Sequence, residues 1–175
     1  DFIDKILKNY NVKTVLDMTC GTGAQTIELR NKGYEITASD LSEGMLKIAR
    51  EKAKDLDIKF YKGDIRTANY GSFDAVISMF NAIGHLDENG LEKAIRNVGN
   101  NLNPQGIYIF DIFNQDFMSA GGFAGTHGFI DNAKEFDEKK FVRFNKNTYD
   151  SEKGIIHINQ RTLIQEGMNK PEELK

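Results

Sequence analysis

An aspartate and two glycines near the start of the chain have the spacing of a ligand-binding turn. Residues 16–26 read LDMTCGTGAQT, in which Asp17 precedes Gly21 by four residues and one residue separates Gly21 from Gly23. Glycines at this spacing let a backbone approach a nucleotide-like ligand closely. The stretch lies between an apolar run and a predicted helix, and open α/β sheets bind their ligands at such strand-to-helix turns.

The turn lacks the patterns of phosphate-binding loops. A dinucleotide fingerprint would place a third glycine where Thr26 stands, and the pattern G-x-x-x-x-G-K-[ST] is absent from the chain. Asp17 would repel a pyrophosphate, but it suits a ligand that carries an ammonium group and no phosphate. S-adenosylmethionine, which joins a nucleoside and a sulfonium to an amino acid, meets this description. A tight turn without any ligand stays the alternative.

Two more acids follow at the predicted ends of the next two strands. Asp40 lies 23 residues after Asp17, and a carboxylate at that separation can accept both ribose hydroxyls. Asp64 ends the third strand, where it can accept the adenine amino group while Ile65 offers its backbone and an apolar edge. Either acid alone is as consistent with a helix cap or a turn. Three acids that close successive strands favour a nucleoside site.

Apolar patterns that alternate between strand and helix must position these residues. Strands are predicted at 15–18, 35–40, 58–64, 73–80 and 106–113, and helices at 3–10, 23–32, 42–55 and after Asp87. Ser42 and Asp87 are suited to cap two of the helices, and Asn103–Gly106 is predicted as a turn. Strands that are apolar nearly throughout and are joined by helices predict a parallel sheet covered on both faces. The expected fold class is a Rossmann-like, doubly wound α/β fold.

The pattern changes after Asn114. Residues 119–129, SAGGFAGTHGF, predict a glycine-rich loop. The runs at 139–149 and 154–164 predict two antiparallel strands joined by the turn DSEKG. The fold is therefore expected to carry an antiparallel hairpin insertion after its fifth strand.

These patterns predict one domain with two functional parts. We expect a cofactor-binding core at 1–114 and, at 115–175, a loop and hairpin on the substrate side. The final residues, NKPEELK, are typical of a helix start, and the chain begins with Asp instead of Met. The chain is therefore expected to be truncated at both ends.

Composition limits the kinds of partner. The chain has 175 residues, a formal net charge of −3 and a pI near 5.7, with basic residues scattered among acidic ones. One domain with a sizeable core fits this length, whereas nucleic-acid binding needs a concentrated positive face. Cys20 is the one cysteine, which excludes a disulfide framework or a cysteine-rich metal site. Without an apolar run of about 18 residues or a signal peptide, we expect a cytoplasmic protein that binds neither membranes, nucleic acids nor a metal.

Five motifs together resemble a known family. VLDMTCGTG, ITASDLSEGML, GDI, FDAVISMFNAIGHL and NNLNPQGIYIFDIF look like the successive motifs of class I S-adenosylmethionine-dependent methyltransferases. The resemblance runs from about residue 12 to residue 114, roughly two thirds of the chain. MFNAIGHL and the hairpin are also similar to small-molecule N-methyltransferases, such as those acting on glycine or sarcosine and on amino sugars.

The resemblance implies an enzyme that moves a methyl group from S-adenosylmethionine to a small-molecule acceptor, in the first place an amine nitrogen. The residues implied to bind the cofactor are Asp17, Thr19, Cys20, Gly21, Gly23, Asp40, Leu41, Met45, Asp64, Ile65 and Met79. Thr19 to Gly23 would line the methionine part through the backbone, and Leu41 and Met45 would flank the adenine. On the substrate side the resemblance implies Phe80, Asn81 and His85.

Several alternatives stay open from the sequence. Oxygen is a second methyl acceptor, and a nicotinamide-dependent oxidoreductase is disfavoured by Thr26 and Asp17. A non-catalytic cofactor-binding domain is a third interpretation. Cys20 near a helix N-terminus could have a lowered pKa and act as a nucleophile, although a small side chain fitting a tight turn is preferred. His85 is the candidate base, with a histidine bonded to backbone as the alternative; the acceptor and the oligomeric state stay undetermined.

Overall fold

The computed structural model describes residues 2–114, 116, 129–150 and 152–174. The chain divides into two units, Asp1–Ile112 and Phe113–Lys175. Of the predicted glycine-rich loop at 119–129, all residues except Phe129 lie outside the described ranges. Within those ranges no helix is long and apolar enough to cross a membrane.

The first unit is a sheet with helices on both faces. Its elements are α1 (Phe2–Asn9), β1 (Thr14–Asp17), α2 (Ala24–Asn31), β2 (Glu35–Asp40), α3 (Glu43–Lys52), β3 (Lys59–Lys62), β4 (Phe73–Ser78), a 3₁₀ helix (Ala82–His85), α4 (Glu88–Asn100) and β5 (Leu102–Phe110). The five strands lie in the order β3-β2-β1-β4-β5 and all pair in parallel. The predicted Rossmann-like fold is confirmed. Because strand order reverses beside β1, the carboxyl ends of β1 and its neighbours form the expected ligand crevice.

The central strand β1 joins the two halves of the core. Val15 and Leu16 are fully buried and, as neighbours in a strand, point to opposite faces of the sheet. Val15 belongs to a cluster with Leu7 of α1 and Leu29 of α2, whereas Leu16 belongs to a cluster with Val98 of α4. Apolar side chains on both faces of the strands explain their near-continuous apolar runs.

The two predicted helix caps are present. The Ser42 Oγ accepts a hydrogen bond from Met45 N at 3.3 Å, and the Asp87 Oδ1 accepts one from Gly90 N at 2.7 Å. Each bond satisfies an N–H group that has no partner within the first turn of its helix. Helices α3 and α4 therefore begin directly after the predicted caps.

Strand β5 begins earlier than predicted. The expected turn at Asn103–Gly106 lies inside the strand, because pairing with β4 jumps from Leu102 to Ile107 across a bulge. Gln105 has a φ of +68°, and a Cβ on Gly106 would come within 2.9 Å of the Asn103 carbonyl oxygen. The tetrapeptide does turn locally, but the chain before it already belongs to the same sheet edge.

Asp74 in β4 joins three segments at the amino ends of the strands. Its Oδ2 accepts hydrogen bonds from Lys13 N and Thr14 N, each at 3.0 Å, and its Oδ1 accepts one from Asn103 Nδ2 at 2.9 Å. These bonds, led by the one from the Thr14 backbone, lower the pKa of Asp74 to about 2. The carboxylate thus connects β1, β4 and the bulge of β5 at the edge opposite the crevice.

We expect Asp74→Ala to lower the free energy of unfolding by about 2 kcal/mol near neutral pH. Hydrogen bonds to a charged acceptor are worth about 1.5–3 kcal/mol, and in the variant water can bind some of the N–H groups that the carboxylate no longer binds. Because the folded pKa lies below the ordinary 3.8, the contribution is present above the ordinary pKa and is lost as the pH falls toward 2. Urea denaturation measures the change, with the exposed Asp55→Ala as control. Equal midpoints for the two variants at neutral pH would contradict this role.

The second unit contains an antiparallel sheet. Its strands are β6 (Phe129–Phe136), β7 (Lys139–Asp150), β8 (Ile155–Glu166) and β9 (Glu172–Glu173), paired in that order. The predicted hairpin of β7 and β8 is confirmed, with pairing from Lys139 opposite Glu166 to Asp150 opposite Ile155. The fold class, a mostly parallel sheet followed by an antiparallel insertion after the fifth strand, is therefore confirmed.

Two strands of this second sheet were not predicted. β6 meets β7 through a turn at Asp137 and Glu138, whose φ angles are +51° and +62°. Such turns usually carry Asn-Gly or Asp-Gly, so the pair Asp-Glu is a weak turn signal. The predicted helix start near the C-terminal end is wrong, because Glu172–Glu173 pairs with β8. In both places the pairing partner, and not the local pattern, decides the conformation.

Candidate functional site

The turn between β1 and α2 has the backbone conformation that its glycines indicate. Gly21 and Gly23 have φ angles of +54° and +79°, in the left-handed region that side chains disfavour. A Cβ on Gly23 would lie 3.1 Å from the Cβ of Ala49 in α3, whereas one on Gly21 would have no described atom within 4 Å. The turn is therefore packed against α3 at Gly23 and open at Gly21, where a ligand can approach the backbone.

Asp40, at the end of β2, forms hydrogen bonds that connect the glycine turn with the segments that follow β2 and β3. Its Oδ2 accepts a hydrogen bond from Gly21 N and its Oδ1 accepts one from Ser42 N, both at 2.8 Å. The Asp40 carbonyl accepts a third from Gly63 N, after β3, at 3.0 Å. Because an ionised carboxylate has about four acceptor sites, Asp40 retains capacity for ligand hydroxyls.

Asp17 lies beneath the turn and not at its surface. It is only 2% exposed; its Oδ2 accepts a hydrogen bond from Thr26 Oγ1 at 2.6 Å and its Oδ1 accepts one from Thr19 N at 3.3 Å. Burial raises the pKa of Asp17 to about 6 despite these bonds, and the charge of Asp40 adds to the rise. Asp17 therefore places a carboxylate directly under the turn, with almost no surface open to contact with a ligand.

The structure corrects the expectation for the pKa of Cys20. Burial raises the pKa of its thiol, and the charges of Asp17 and Asp40 raise it further. These effects outweigh that of the helix N-terminus, so the thiol stays protonated and is a poor nucleophile. Cys20 packs with Ala38 and Leu46, which agrees with the preferred role of a small side chain in a tight turn.

Asp64 follows β3 and binds a cation from its own segment. Its Oδ1 accepts a hydrogen bond from Arg66 N at 2.9 Å, and the Arg66 guanidinium binds both carboxylate oxygens. The Arg66 side chain lowers the pKa of Asp64 below its ordinary range. The Arg66 side chain is 43% exposed, so the guanidinium is partly solvated even while it binds the carboxylate. The next residue, Ile65, is buried in the core cluster around Leu16.

Two apolar side chains are left exposed beside Asp40. Leu41, just before the Ser42 cap of α3, is 64% exposed, and Met45, in the first turn of α3, is 46% exposed. Exposed apolar side chains next to convergent polar groups are typical of ligand-binding surfaces. Leu41 and Met45 are therefore available for the adenine contact that the resemblance implies.

The chain leaves β4 through two left-handed residues that are not glycine. Phe80 and Asn81 have φ angles of +62° and +56°. The Asn81 N donates a hydrogen bond to Asp111 Oδ2 at 3.0 Å, and the Asn81 side chain packs over Gly84, whose lack of a Cβ makes room for it. Strained backbone of this kind clusters at functional sites. In this left-handed turn the Phe80 side chain is largely exposed, just after β4.

The remaining two predicted residues take different positions. Met79 is half buried, and its side chain packs against the cluster that contains Ile3 and Leu7. His85 ends the 3₁₀ helix and is exposed. Of the implied substrate-side residues, Phe80 and His85 are exposed, whereas Asn81 is buried.

Three polar residues around the crevice were not predicted. The Ser78 Oγ lies 2.9 Å from Thr19 Oγ1 and so joins the ends of β4 and β1. Thr26 binds Asp17, and Asp111 binds the turn after β4. Asp111 could have been found, because like the other acids it ends an apolar strand. Ser78 and Thr26 carry no such signal, since their partners are distant in sequence or buried by the fold.

The parallel sheet, the left-handed glycine turn and the acids at the ends of β1, β2 and β3 define an α/β protein of the nucleoside-binding class. The sequence model of the family described as "Methyltransferase domain" matches residues 15–106, more than half of the chain. The chain belongs to this family. Its resemblance to the class I methyltransferases, whose cofactor is S-adenosylmethionine, is confirmed.

Individual relatives agree with this assignment. The chain is 31% identical to a glycine/sarcosine N-methyltransferase of Parasynechococcus marenigrum, covering 93% of this chain and 62% of the relative. It is 30% identical to the glycine N-methyltransferase of Rattus norvegicus, covering 68% of this chain and 46% of the relative. The chain thus spans less than two thirds of the length of either curated relative. The crystal structure of an S-adenosylmethionine-dependent methyltransferase from Clostridium acetobutylicum matches with a TM-score of 0.82 and 25% identity, covering 99% of this chain and 69% of that one.

Proposed function

We propose that the chain forms the cofactor-binding part of an enzyme that methylates a small molecule on an amine nitrogen with S-adenosylmethionine. The observation that carries the proposal is the Asp40 carboxylate, held by Gly21 N and Ser42 N at the strand-order reversal of a parallel sheet. A carboxylate in that position is suited to two ribose hydroxyls, and the adjacent turn has no pyrophosphate pattern.

The residues present fit this cofactor. Asp40 would hold the ribose, and the backbone of residues 19–23, open at Gly21, would hold the methionine part. The buried charge of Asp17 suits the ammonium and sulfonium groups, both cationic. Asp64 would accept the adenine amino group. The remaining implied contacts come from Leu41, Met45, Ile65 and Met79.

The chemistry needs positioning more than it needs an acid or a base. The cofactor, when bound, would supply a methyl group on a sulfonium, and an amine lone pair would form the new C–N bond as the C–S bond breaks. Holding the two groups in line is worth on the order of 7–11 kcal/mol in favourable intramolecular models. An amine that arrives uncharged becomes an ammonium after transfer and releases its proton to water, so His85 stays a candidate base without being required.

An amine acceptor is the preferred substrate class for two reasons. Two relatives that each match 93% of this chain are, by their names, glycine/sarcosine N-methyltransferases. Among the described acids at the crevice, Asp111 is assigned to no part of the cofactor, and its carboxylate, bound to Asn81 N, favours a cationic product. Phe80, Asn81 and His85 would face the acceptor.

The division into a core at 1–114 and a substrate-side insertion at 115–175 is part of the proposal.

The nicotinamide-dependent alternative is weakened by Thr26. This residue takes the position of the third glycine, is fully buried, and binds Asp17 at 2.6 Å. A threonine locked to a carboxylate under the turn leaves a poor site for a pyrophosphate. The non-catalytic interpretation is tested by turnover. A cytoplasmic location and the absence of nucleic-acid binding stay predictions.

Titration calorimetry tests the cofactor. We expect heat of binding with S-adenosylmethionine and with S-adenosylhomocysteine, and none with NAD, because the site has acceptors for a nucleoside and charge against a pyrophosphate. Binding of NAD alone would overturn the proposal. Turnover by the full-length protein on glycine, sarcosine, an amino sugar and a phenol, followed as S-adenosylhomocysteine release, then separates nitrogen from oxygen acceptors. A full-length protein that binds the cofactor and methylates none of them would favour a non-catalytic domain.

A further inference from the structure

Two buried asparagines lie at the end of α4. Asn97 is 8% exposed and Asn101, directly after the helix, is fully buried. A buried side-chain amide costs about 1–3 kcal/mol unless its polar atoms are paired. A leucine at either position would pack the helix against the sheet without that cost, so the partners of the two amides are informative.

Both amides bind the backbone of the segment that follows Asp64. The Asn97 Nδ2 donates to Ile65 O at 2.9 Å and to Ala68 O at 2.7 Å. The Asn101 Nδ2 donates to Ala68 O at 3.1 Å, and its Oδ1 accepts from Tyr70 N at 2.8 Å. The segment is neither helix nor strand, so these side chains supply the partners that regular structure would supply.

One peptide unit links Asn97 to the Asp64 carboxylate. In the unit between Ile65 and Arg66, the carbonyl accepts from Asn97 Nδ2, and the N–H donates to Asp64 Oδ1 at 2.9 Å. A peptide unit is planar, so holding its carbonyl also sets the direction of its N–H. Asn97 therefore fixes the backbone donor that orients the carboxylate, even if the exposed Arg66 guanidinium moves away.

We propose that Asn97 is a positioning residue for recognition of the adenine amino group. By holding the Ile65–Arg66 peptide, it keeps the Asp64 carboxylate aimed at the base. This inference rests on the proposed function, in which Asp64 accepts a hydrogen bond from adenine. A nucleoside with a carbonyl in place of the amino group would present an acceptor to the carboxylate and would be rejected. Asn97 thus contributes to base selectivity without touching the ligand.

The test compares two ligands by calorimetry: S-adenosylhomocysteine and its analogue with inosine in place of adenosine. We expect the unchanged chain to prefer the adenine ligand by about 10- to 100-fold, the range for a hydrogen bond to a charged group. Asn97→Ala should lower this preference by about 5-fold or more, because the carboxylate loses its fixed orientation. Asn100→Ala is the matched control, an exposed asparagine on the same helix, and should leave the preference unchanged.

A double-variant cycle separates positioning from general loosening of the fold. In an Asp64→Ala background, Asn97→Ala should not change the preference further, since no carboxylate remains to be oriented. Asn97→Ser, which keeps a shorter donor, should lie between the unchanged chain and Asn97→Ala, and it serves if the alanine variant does not fold. Equal loss of affinity for both ligands, with an unchanged preference, would overturn the inference alone. A chain that binds neither ligand would overturn the proposed function, and the inference with it.

Discussion

Asp17→Asn is expected to raise the free energy of unfolding at pH 8 while weakening the binding of S-adenosylmethionine. Asparagine can keep both hydrogen bonds, accepting from Thr19 N and donating to Thr26 Oγ1, but it carries no charge. In the unchanged chain the buried carboxylate has a pKa raised from 3.8 to about 6. Keeping it ionised at pH 8 therefore costs on the order of 2–3 kcal/mol.

The pH dependence of this effect has a definite sign. Because the folded pKa of Asp17 is above the ordinary value, the folded state binds the proton more tightly. The stability that this provides is full below the ordinary pKa of 3.8 and is lost as the pH rises through about 6. Urea denaturation should therefore show a gain for Asp17→Asn that is larger at pH 8 than at pH 5, by about 1–2 kcal/mol. An equal gain at both pH values would show that Asp17 is not the titrating group.

Ligand binding should respond in the opposite direction. A cationic ligand stabilises the ionised form of Asp17, so the affinity of the unchanged chain for S-adenosylmethionine should rise as the pH rises through about 6. Asp17→Asn should lose about 1 kcal/mol or more, the scale of a charge–charge interaction across a turn. The loss should be smaller for S-adenosylhomocysteine, which lacks the sulfonium charge. Unchanged affinities for both ligands would mean that the buried charge of Asp17 does not contribute to ligand binding.

Asp40→Ala is expected to weaken cofactor binding by about 1–3 kcal/mol, the cost of removing hydrogen bonds to a charged acceptor. The change removes the acceptor for ribose hydroxyls and also releases Gly21 N and Ser42 N, which the carboxylate now binds at 2.8 Å. Calorimetry with S-adenosylhomocysteine measures the loss. Asp55→Ala, an exposed aspartate after α3, is the matched control and should bind normally.

A deoxy ligand distinguishes contact with the ribose from disorder of the turn. If Asp40 accepts the ribose hydroxyls, Asp40→Ala should cost little affinity for an analogue whose ribose lacks them, because the missing bond is the same in both cases. An equal loss for the two ligands would instead place the role of Asp40 in the bonds to Gly21 and Ser42. An unchanged affinity for S-adenosylhomocysteine would show that the ribose lies elsewhere.

The order of strands and helices in the first unit could be predicted because its determinants are local. Val15 and Leu16 lie in an apolar run that suits a strand buried on both faces, and Ser42 and Asp87 are oxygen-bearing caps directly before helices. The β5 boundary was misplaced because Asn103–Gly106 has the composition of a turn and is one, but it lies within a paired strand. Pairing is a property of the sheet and is not encoded in four residues.

The antiparallel unit shows the same limit more strongly. The hairpin of β7 and β8 has two long runs of branched and aromatic residues around a turn, so its pattern was sufficient. β6 has no comparable signal: its turn uses Asp137 and Glu138, and half of its residues are polar or charged. It is a strand because β7 offers it a partner.

Spacing in the sequence was enough to place the glycine turn, Asp40 and Asp64 at the ends of successive strands, because each follows its strand directly in the chain. The left-handed glycines were equally predictable, since only glycine tolerates that backbone without strain. The environments of these side chains were not predictable. Burial of Asp17, the raised pKa of Cys20 and the strained Phe80–Asn81 turn depend on what packs around them.

Only the tertiary structure decided which distant groups hold the site in place. Asn97 reaches a carbonyl 32 residues away, and Asp111 binds a backbone N–H 30 residues away. Periodicity marks such residues as polar positions on an apolar face or at a strand end, but it does not name their partners. Hydrogen bonds are short-ranged and directional, so their partners are known only once the sheet and its helices are packed.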